Sequence, residues 1–158
     1  MRIEIICTGD ETLTAKTVNT NFSHFSRKLE EFGLSVRWGT TVGDDPETLA
    51  EAFRQARVRA DAVIVNGGGL GPTVDDLSHE IAAKTAGVGL VLNEEWLERI
   101  EALFRRHNLV MQSNNRKQAL LPETAQLIDN PIGTACGFAL DIGRAGSISR
   151  PAYQNNCI

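Results

Sequence analysis

A short run at residues 61–65, apolar throughout after Asp61, leads directly into the glycine-rich segment 66–73. The run is too short for a helix, and with loops on both sides it predicts a central strand covered on both faces. Buried strands of this kind belong to parallel sheets that lie between layers of helices. The sequence therefore restricts the chain to an α/β fold around this strand, with a glycine loop at its carboxyl end.

Strand and helix patterns alternate along the rest of the chain. Further strands are predicted at residues 2–7, 34–42, 127–128 and 136–142. Helices are predicted after the capping residues Asn19, Asp45 and Asn93, after the Asp75-Asp76 pair, and at residues 115–121. In the helix after Asp45, the apolar spacing predicts a buried stripe of Leu49, Ala52, Phe53 and Ala56. This alternation predicts a mostly parallel sheet between helical layers.

The composition excludes several classes of protein. With 158 residues the chain predicts one domain, and its three isolated cysteines give neither a disulfide framework nor a zinc-site spacing. The formal charge of −4 argues against binding to a nucleic acid backbone. No apolar stretch is long enough to span a membrane, and the first residues carry no secretory signal. We therefore expect a cytoplasmic, single-domain protein that binds neither nucleic acid nor membrane.

Two loops of unusual composition follow predicted strands, at residues 8–11 and 66–76. Ligands of open α/β sheets bind beyond the carboxyl ends of the strands, so both loops are candidates for a binding site. Successive glycine N–H groups can cradle an anion, and Asp75 and Asp76 can hold a hard cation such as Mg²⁺. The glycines match neither the dinucleotide fingerprint nor the P-loop, because no lysine follows them.

Each of these features also has a purely structural explanation. A glycine loop after a strand can simply form a tight turn, and the Asp75-Asp76 pair can simply cap a helix. Asp10 and Glu11 can lie in a solvated turn. Their shared position at strand ends favours the functional interpretation.

A third polar segment, residues 113–118, precedes a predicted helix. In the structural interpretation Ser113 or Asn114 caps that helix, and in the functional one Asn115 and Lys117 reach the phosphates or base of a nucleotide. The spacing does not decide between the two. Cys7 and Cys136 lie at strand ends and are interpreted as small core residues.

Six segments together resemble one family in their order and spacing. They are Thr8-Gly9-Asp10-Glu11, Val18-Asn19-Thr20-Asn21, Thr41-Val42-Gly43-Asp44, Gly68-Gly69-Leu70-Gly71-Pro72-Thr73-Val74-Asp75-Asp76, Asn115-Arg116-Lys117-Gln118-Ala119 and Asn130-Pro131-Ile132-Gly133-Thr134-Ala135. The family is the amino-terminal domain of the competence/damage-inducible protein CinA, within the molybdopterin-binding superfamily that includes MogA and MoaB. The resemblance covers residues 1–143.

The resemblance implies a three-layer α/β/α sandwich that forms homo-oligomers. It also implies a pocket for a nucleotide or pterin phosphate with a divalent cation (Mg²⁺, Mn²⁺ or Co²⁺), and hydrolysis of ADP-ribose-type dinucleotides as a metal-dependent pyrophosphatase. The alternatives are a molybdopterin carrier of molybdenum cofactor metabolism without turnover, and a degenerate copy. The deamidase activity of the second domain of full-length CinA proteins is not implied for this chain.

The resemblance also implies roles for particular residues. The candidate catalytic residues are Asp10, Glu11 and Asp75, and the candidate metal ligands are Asp10, Asp75 and Asp76. The candidate ligand-binding residues are Thr8, Gly9, Asn19, Asn21, Asp44, Gly68, Gly69, Leu70, Gly71, Pro72, Thr73, Asn115, Lys117, Pro131, Gly133 and Thr134.

Two departures from the family pattern affect the positioning of the loops. The family usually has two glycines before Leu-Gly-Pro-Thr, whereas this chain has three at residues 67–69. The family also tends to have glycine where this chain has Ala15, and apolar residues where this chain has Thr12 and Thr14. An extra residue costs little loop entropy, but it shifts every donor that follows it.

The tail, residues 144–158, does not follow the family pattern. The family continues with a strand and a loop of the kind Phe-Tyr-Phe-Thr-Pro-Gly, which closes part of the pocket. One allowed back-translation of residues 146–158 gives this motif in another reading frame, so we expect a frameshift near residues 144–146, which the coding DNA sequence tests. We therefore expect the tail to supply no strand, to be poorly ordered and to weaken ligand binding.

Overall fold

The structure is a computed structural model that describes residues 1–14, 18–68, 70–73 and 76–143, and the backbone of residues 151–154. The strands are β1 (Ile3–Thr8), β2 (Val36–Val42), β3 (Ala62–Gly67), β4 (Leu90–Leu92), β5 (Leu120–Pro122), β6 (Gln126–Ile128), β7 (Gly137–Asp141) and β8 (Pro151–Gln154). The helices are α1 (Asp10–Leu13), α2 (Thr20–Glu31), α3 (Pro46–Arg59), α4 (Ser78–Ala86) and α5 (Glu94–Arg106), with a 3-10 helix at Ser113–Ala119.

Six of the strands form one sheet in the order β2-β1-β3-β8-β7-β6. β2, β1, β3 and β8 run parallel, whereas β7 is antiparallel to β8 and β6 is antiparallel to β7. The predicted mostly parallel sheet and the interior position of β3 are confirmed. A separate antiparallel pair of β4 and β5 was not predicted, and β5 lies where the sequence predicts the end of the helix at residues 115–121.

Helices cover both faces of the sheet, which gives the three-layer α/β/α sandwich. The adjacent residues Ile5 and Ile6 of β1 point to opposite faces, and both are fully buried. On the face of Ile6, α3, α4 and α5 build the main core together with side chains of β3 and β7. On the face of Ile5, the ring of Phe22 in α2 packs against the backbone of β2 at Gly39. None of the described helices is long and apolar enough to cross a membrane.

The predicted capping residues begin three of the helices. Each accepts a hydrogen bond from a backbone N–H three residues on, at 2.8–3.0 Å, in α2 (Asn19), α3 (Asp45) and α5 (Asn93). The stripe predicted for α3 is confirmed, since its buried residues are Leu49, Ala52, Phe53 and Ala56. Local sequence therefore determines where these helices begin and which face they bury.

Three local predictions are wrong. Asp76 does not cap α4, because the carboxylate of Asp76 accepts hydrogen bonds from the N–H and the hydroxyl of Thr73. The helix begins at Ser78 without a side-chain cap. The predicted helix at residues 115–121 is the 3-10 helix at Ser113–Ala119, because residue 120 pairs with β4 and ends it. The polar loop expected after Gly9 begins with the short helix α1. Asp75 lies outside the described residues.

The backbone of the tail contributes a strand to the sheet. β8 lies between β3 and β7 and pairs with both. The expectation that the tail supplies no strand is therefore wrong for these four residues, because pairing needs only backbone N–H and C=O groups and does not depend on a side-chain pattern. The other tail residues, 144–150 and 155–158, lie outside the described residues, and the frameshift stays a prediction.

A buried ion pair joins the start of β1 to the end of α3. Glu4 is fully buried, and its carboxylate accepts from the Thr40 hydroxyl at 2.6 Å and from Nε and Nη2 of Arg59. The hydrogen bond to Glu4 raises the pKa of Arg59, whose guanidinium also lies 5.5 Å from the ring centroid of Trp38. The pair closes the edge of the core where the amino ends of the strands meet α3.

We predict that Arg59→Ala lowers the free energy of unfolding by about 3 kcal/mol, because the buried carboxylate of Glu4 loses its cation. The matched control is Arg54→Ala on the same helix, which removes an exposed pair with Glu51 and costs less than about 1 kcal/mol. Urea denaturation monitored by circular dichroism measures both. Equal losses in the two variants would contradict the role assigned to Arg59.

Candidate functional site

Three loops leave the sheet side by side at its carboxyl edge. Thr8, the last residue of β1, pairs with Val42 of β2 on one side and with Gly67 of β3 on the other. The Gly9 N–H donates to the Val42 carbonyl at 3.0 Å, which continues the pairing one residue beyond β1. The strands β1, β2 and β3 therefore end level, so the loops that follow them begin as neighbours.

Two carboxylates from different loops bind each other's backbone. Oδ1 of Asp10 accepts from the N–H of Asp44 at 3.2 Å, and Oδ2 of Asp44 accepts from the N–H of Asp10 at 3.3 Å. The carboxylate of Glu11 lies against Gly9, beside this pair. Asp44 also reaches the glycine loop, since a Cβ on Gly68 would lie 3.8 Å from its Oδ1. Asp44 therefore lies between the loop that follows β1 and the glycine loop that follows β3.

The glycine loop begins with a carbonyl held by two hydroxyls. The Gly68 carbonyl accepts from the hydroxyl of Thr8 and from that of Ser78, each at 3.2 Å, and both side chains are buried. The first of the three glycines, Gly67, is the last residue of β3, at φ +130°. A Cβ there would overlap the carbonyl oxygen of Thr8. The backbone conformation and the close approach to Thr8 therefore both require glycine at this position.

Two further carbonyls of the loop bind the 3-10 helix. Nε2 of Gln118 donates to the Leu70 carbonyl at 3.4 Å, and Nζ of Lys117 donates to the Thr73 carbonyl at 2.7 Å. The Leu70 side chain is buried in the main core, so it anchors the loop from below. The carbonyls of Gly68, Leu70 and Thr73 therefore point towards donors of the protein itself.

Occupied carbonyls determine the polarity of the loop. A trans peptide holds its N–H opposite its C=O, so a carbonyl that is directed into the protein turns its N–H away from it. For the peptide between Leu70 and Gly71, the Gly71 N–H is the group turned away. A backbone N–H that is turned outwards carries partial positive charge and attracts anions. Lys117 adds a positive charge beside the loop, and the Asp76 carboxylate, which lies against Gly71, adds a negative one.

The structure brings most of the predicted site residues to this edge. They are Thr8, Gly9, Asp10, Glu11, Asp44, Gly68, Leu70, Gly71, Pro72, Thr73, Asp76 and Lys117. Gly69 and Asp75 lie outside the described residues. For all of these positions, the roles in catalysis and binding stay predictions.

Three other predicted residues lie in or at the start of helices. Asn19 caps α2 through its side chain, and Asn21 lies in the first turn of that helix. Asn115 accepts from the N–H of Gln112 and donates to the amide oxygen of Gln118, at 3.1 and 3.3 Å. The side chain of Asn115 thus supports the 3-10 helix, and its role in ligand binding stays a prediction.

The loop of Pro131, Gly133 and Thr134 lies at the same edge of the sheet. β7 runs antiparallel to β3, so its amino end meets the carboxyl edge two strands away, about 10 Å from β3. The side chain of Asn130 binds three backbone groups of the loop, and the indole N–H of Trp96 donates to the Thr134 carbonyl at 2.9 Å. These contacts tie the loop to α5, where Pro131 and Gly133 line a cavity of about 210 Å³.

Two carboxylates beside the glycine loop are of the kind that could hold a cation together with a phosphate. Among the residues that the structure describes, no group of three His, Cys, Asp or Glu side chains is arranged to hold a metal ion. Mg²⁺, however, is commonly bound by one or two carboxylates together with waters and substrate phosphates. Asp10 and Asp44 supply two such carboxylates beside the glycine loop.

Neither described cysteine suggests nucleophilic chemistry. Burial raises the pKa of the Cys136 thiol to about 12, so this thiol stays protonated at neutral pH. Cys7 is buried and accepts a hydrogen bond from the side-chain amide of Asn66 at 3.1 Å. The prediction that both are core residues is confirmed.

Sequence reasoning missed two residues of the site. Ser78 and Gln118 are 1% and 6% exposed, and each donates to a carbonyl of the glycine loop. Ser78 gave no signal, since it follows an acidic pair that already suggested a helix start. Gln118 stood inside a segment already singled out, but a polar side chain next to Ala119 gave no indication that it is buried.

Comparisons with known proteins agree on one family. A family model described as "probable molybdopterin binding domain" matches residues 4–155. A CinA-like protein of Shewanella sediminis is 50% identical over 145 residues, which are 92% of this chain and 34% of that protein. A relative in Shewanella oneidensis is named nicotinamide-nucleotide amidohydrolase PncC. It is 46% identical over 145 residues, which again are 92% of this chain and 34% of that protein. The chain thus spans about a third of the length of these curated relatives.

A solved structure extends the likeness to the fold. The crystal structure of CinA from Thermoplasma acidophilum, a protein described as having unknown function, matches with a TM-score of 0.82 and 32% identity. The match covers 97% of this chain and 86% of that one.

We predict that Gly67→Ala destabilises the protein by roughly 3 kcal/mol or more, because left-handed strain adds to the overlap with Thr8. The matched control is Gly87→Ala at φ +76°, where a Cβ meets nothing within 4 Å and strain alone costs about 1 kcal/mol. Chemical denaturation of both variants tests the prediction. A loss no greater at Gly67 than at Gly87 would refute the close approach of β3 to Thr8.

Proposed function

The chain belongs to the molybdopterin-binding domain family and, within it, to the CinA-like proteins, and on this basis we propose that it binds the phosphates of a nucleotide or pterin. The ligand is held at the carboxyl edge of β1, β2 and β3. We further propose that the domain is a metal-dependent pyrophosphatase that hydrolyses ADP-ribose-type dinucleotides. The amidohydrolase activity in the name of the S. oneidensis relative is no part of the proposal, because the aligned segment is only 34% of that protein.

The observation that carries phosphate binding is the polarity of the glycine loop. The carbonyls of Gly68, Leu70 and Thr73 are all held by donors of the protein. The Gly71 N–H, which lies opposite the Leu70 carbonyl, is then the backbone group that an incoming ligand meets there, and a backbone donor favours an anion. Lys117, which reaches the loop through its ammonium group, adds positive charge for a phosphate.

Asp10 and Asp44 would hold the divalent cation together with the pyrophosphate of the ligand. When bound, such a cation polarises the phosphoryl group and neutralises its charge. The backbone hydrogen bonds between the two aspartates fix the relative position of their loops, so both carboxylates are held ready. Asp76, bound to Thr73, completes the acidic residues described around the loop.

Glu11 is the residue proposed as general base. Its carboxylate is exposed and lies next to Gly9, beside the two aspartates. In the proposed reaction a water oxygen bonds to one phosphorus as the bridging P–O bond breaks, and Glu11 accepts the proton of the water. ADP-ribose would then give AMP and ribose 5-phosphate.

We predict that the protein releases AMP from ADP-ribose with Mg²⁺, Mn²⁺ or Co²⁺, and that Asp10→Asn lowers the rate on the order of 100-fold. The control is Asp45→Asn, which changes a carboxylate next to Asp44 to an amide but keeps the cap of α3. Chromatographic detection of AMP gives both rates. The absence of AMP with all three cations would eliminate the pyrophosphatase proposal.

The alternative is a carrier of molybdopterin or its adenylate without turnover, which the description of the matched family favours. The two functions differ in the ligand that stabilises the protein. A ligand at 100 times its Kd raises the free energy of unfolding by about 2.7 kcal/mol, which thermal unfolding detects. Stabilisation by a pterin phosphate but not by ADP-ribose would support the carrier.

A further inference from the structure

We propose that Gln118 is a positioning residue of the site, which orients the Leu70–Gly71 peptide so that its N–H faces the bound phosphate. The proposal rests on the proposed function for the identity of the ligand. The orientation of the loop itself is a property of the protein without ligand. The two parts can therefore be tested separately.

The first argument is the combination of burial and hydrogen bonding at Gln118. Its side chain is 6% exposed, so both ends of its amide need partners within the protein. Nε2 donates to the Leu70 carbonyl at 3.4 Å, and Oε1 accepts from Nδ2 of Asn115 at 3.3 Å. The amide therefore connects the loop to the 3-10 helix, with its orientation fixed by a donor on one side and an acceptor on the other.

The second argument is that both ends of this connection are anchored. Asn115 accepts from the N–H of Gln112, and the Ala119 carbonyl at the end of the 3-10 helix accepts from Asn93 at 2.8 Å. At the other end, the Leu70 side chain is 4% exposed in the main core. The loop peptide is thus fixed by its side chain below and by its carbonyl at the side.

The third argument concerns the choice of side chain. The Leu70 carbonyl needs a donor, whereas the Asn115 amide needs an acceptor, and glutamine offers both at one chain length. A methionine fills a similar volume but does neither. An ionised glutamate accepts from Asn115 but cannot donate to Leu70, so it leaves the loop carbonyl without this partner.

We predict that Gln118→Met weakens binding of a methylene-bridged, non-hydrolysable ADP-ribose analogue with Mg²⁺ by about tenfold at every pH. Gln118→Glu should bind as the wild type does near pH 5, where a buried, protonated glutamic acid still donates, and about tenfold or more weakly near pH 8. Asn114→Asp makes the same amide-to-acid change at an exposed position of the same helix and should change little. Calorimetric Kd values measure all three.

The pH dependence is taken as the ratio of variant to wild-type Kd. Asp10, Glu11, Asp76, His79 and Lys117 lie on the elements around the loop and are the same in both proteins, so the ratio isolates the new carboxyl group. If Gln118→Met binds like the wild type and only Gln118→Glu loses affinity at high pH, repulsion alone explains the loss and the positioning role is overturned.

A second measurement does not depend on the ligand. The Gly71 amide resonance of the unliganded protein should shift in Gln118→Met, while the resonances of α3 should stay in place. An unchanged Gly71 resonance would overturn the proposal. A wild-type protein that binds no ADP-ribose analogue would contradict the proposed function, and the resonance comparison would still decide the role of Gln118.

Discussion

The parallel pairing of β1 with both β2 and β3 is the constraint on which the rest of the structure depends. It aligns Thr8 with Val42 and with Gly67, so three loops start from the same level of the sheet. Only because of this register can Asp10 and Asp44 bind each other's backbone and the Thr8 hydroxyl reach the Gly68 carbonyl. A shift of one residue would turn every side chain of β1 to the opposite face and separate these groups.

The same contacts serve stability and ligand binding at the glycine loop. Donors from β1 and α4 share the Gly68 carbonyl, and two donors of the 3-10 helix take the carbonyls of Leu70 and Thr73, so the loop is held by three different parts of the fold. An ordered loop loses less conformational freedom when a ligand binds, which raises affinity without a new contact. The chemistry proposed for the loop is therefore prepared by residues, such as Ser78, that touch no ligand.

The sequence predicts features that depend on neighbouring residues and misses those that depend on residues distant along the chain. The caps Asn19, Asp45 and Asn93 and the stripe of α3 depend on neighbours within one or two turns, so periodicity and capping preferences found them. The partners of Ser78 and Gln118 are loop carbonyls distant in sequence, and nothing local specifies them. Asp76 shows the limit clearly, because two donors on Thr73 compete with the helix start that its sequence position suggested.

The position of β8 has a consequence for how the chain reaches its fold. Ile64 pairs with Tyr153, about ninety residues later, and among the described strands it is β8 that joins the parallel strands to the β6–β7 hairpin. Contacts this far apart in sequence slow folding, because a long loop must close before they form. The two halves of the sheet can assemble as the ribosome extends the chain, but they stay unjoined until residue 151 emerges. Until then β3 keeps an open edge, which is the stage at which strand edges of partly folded chains aggregate.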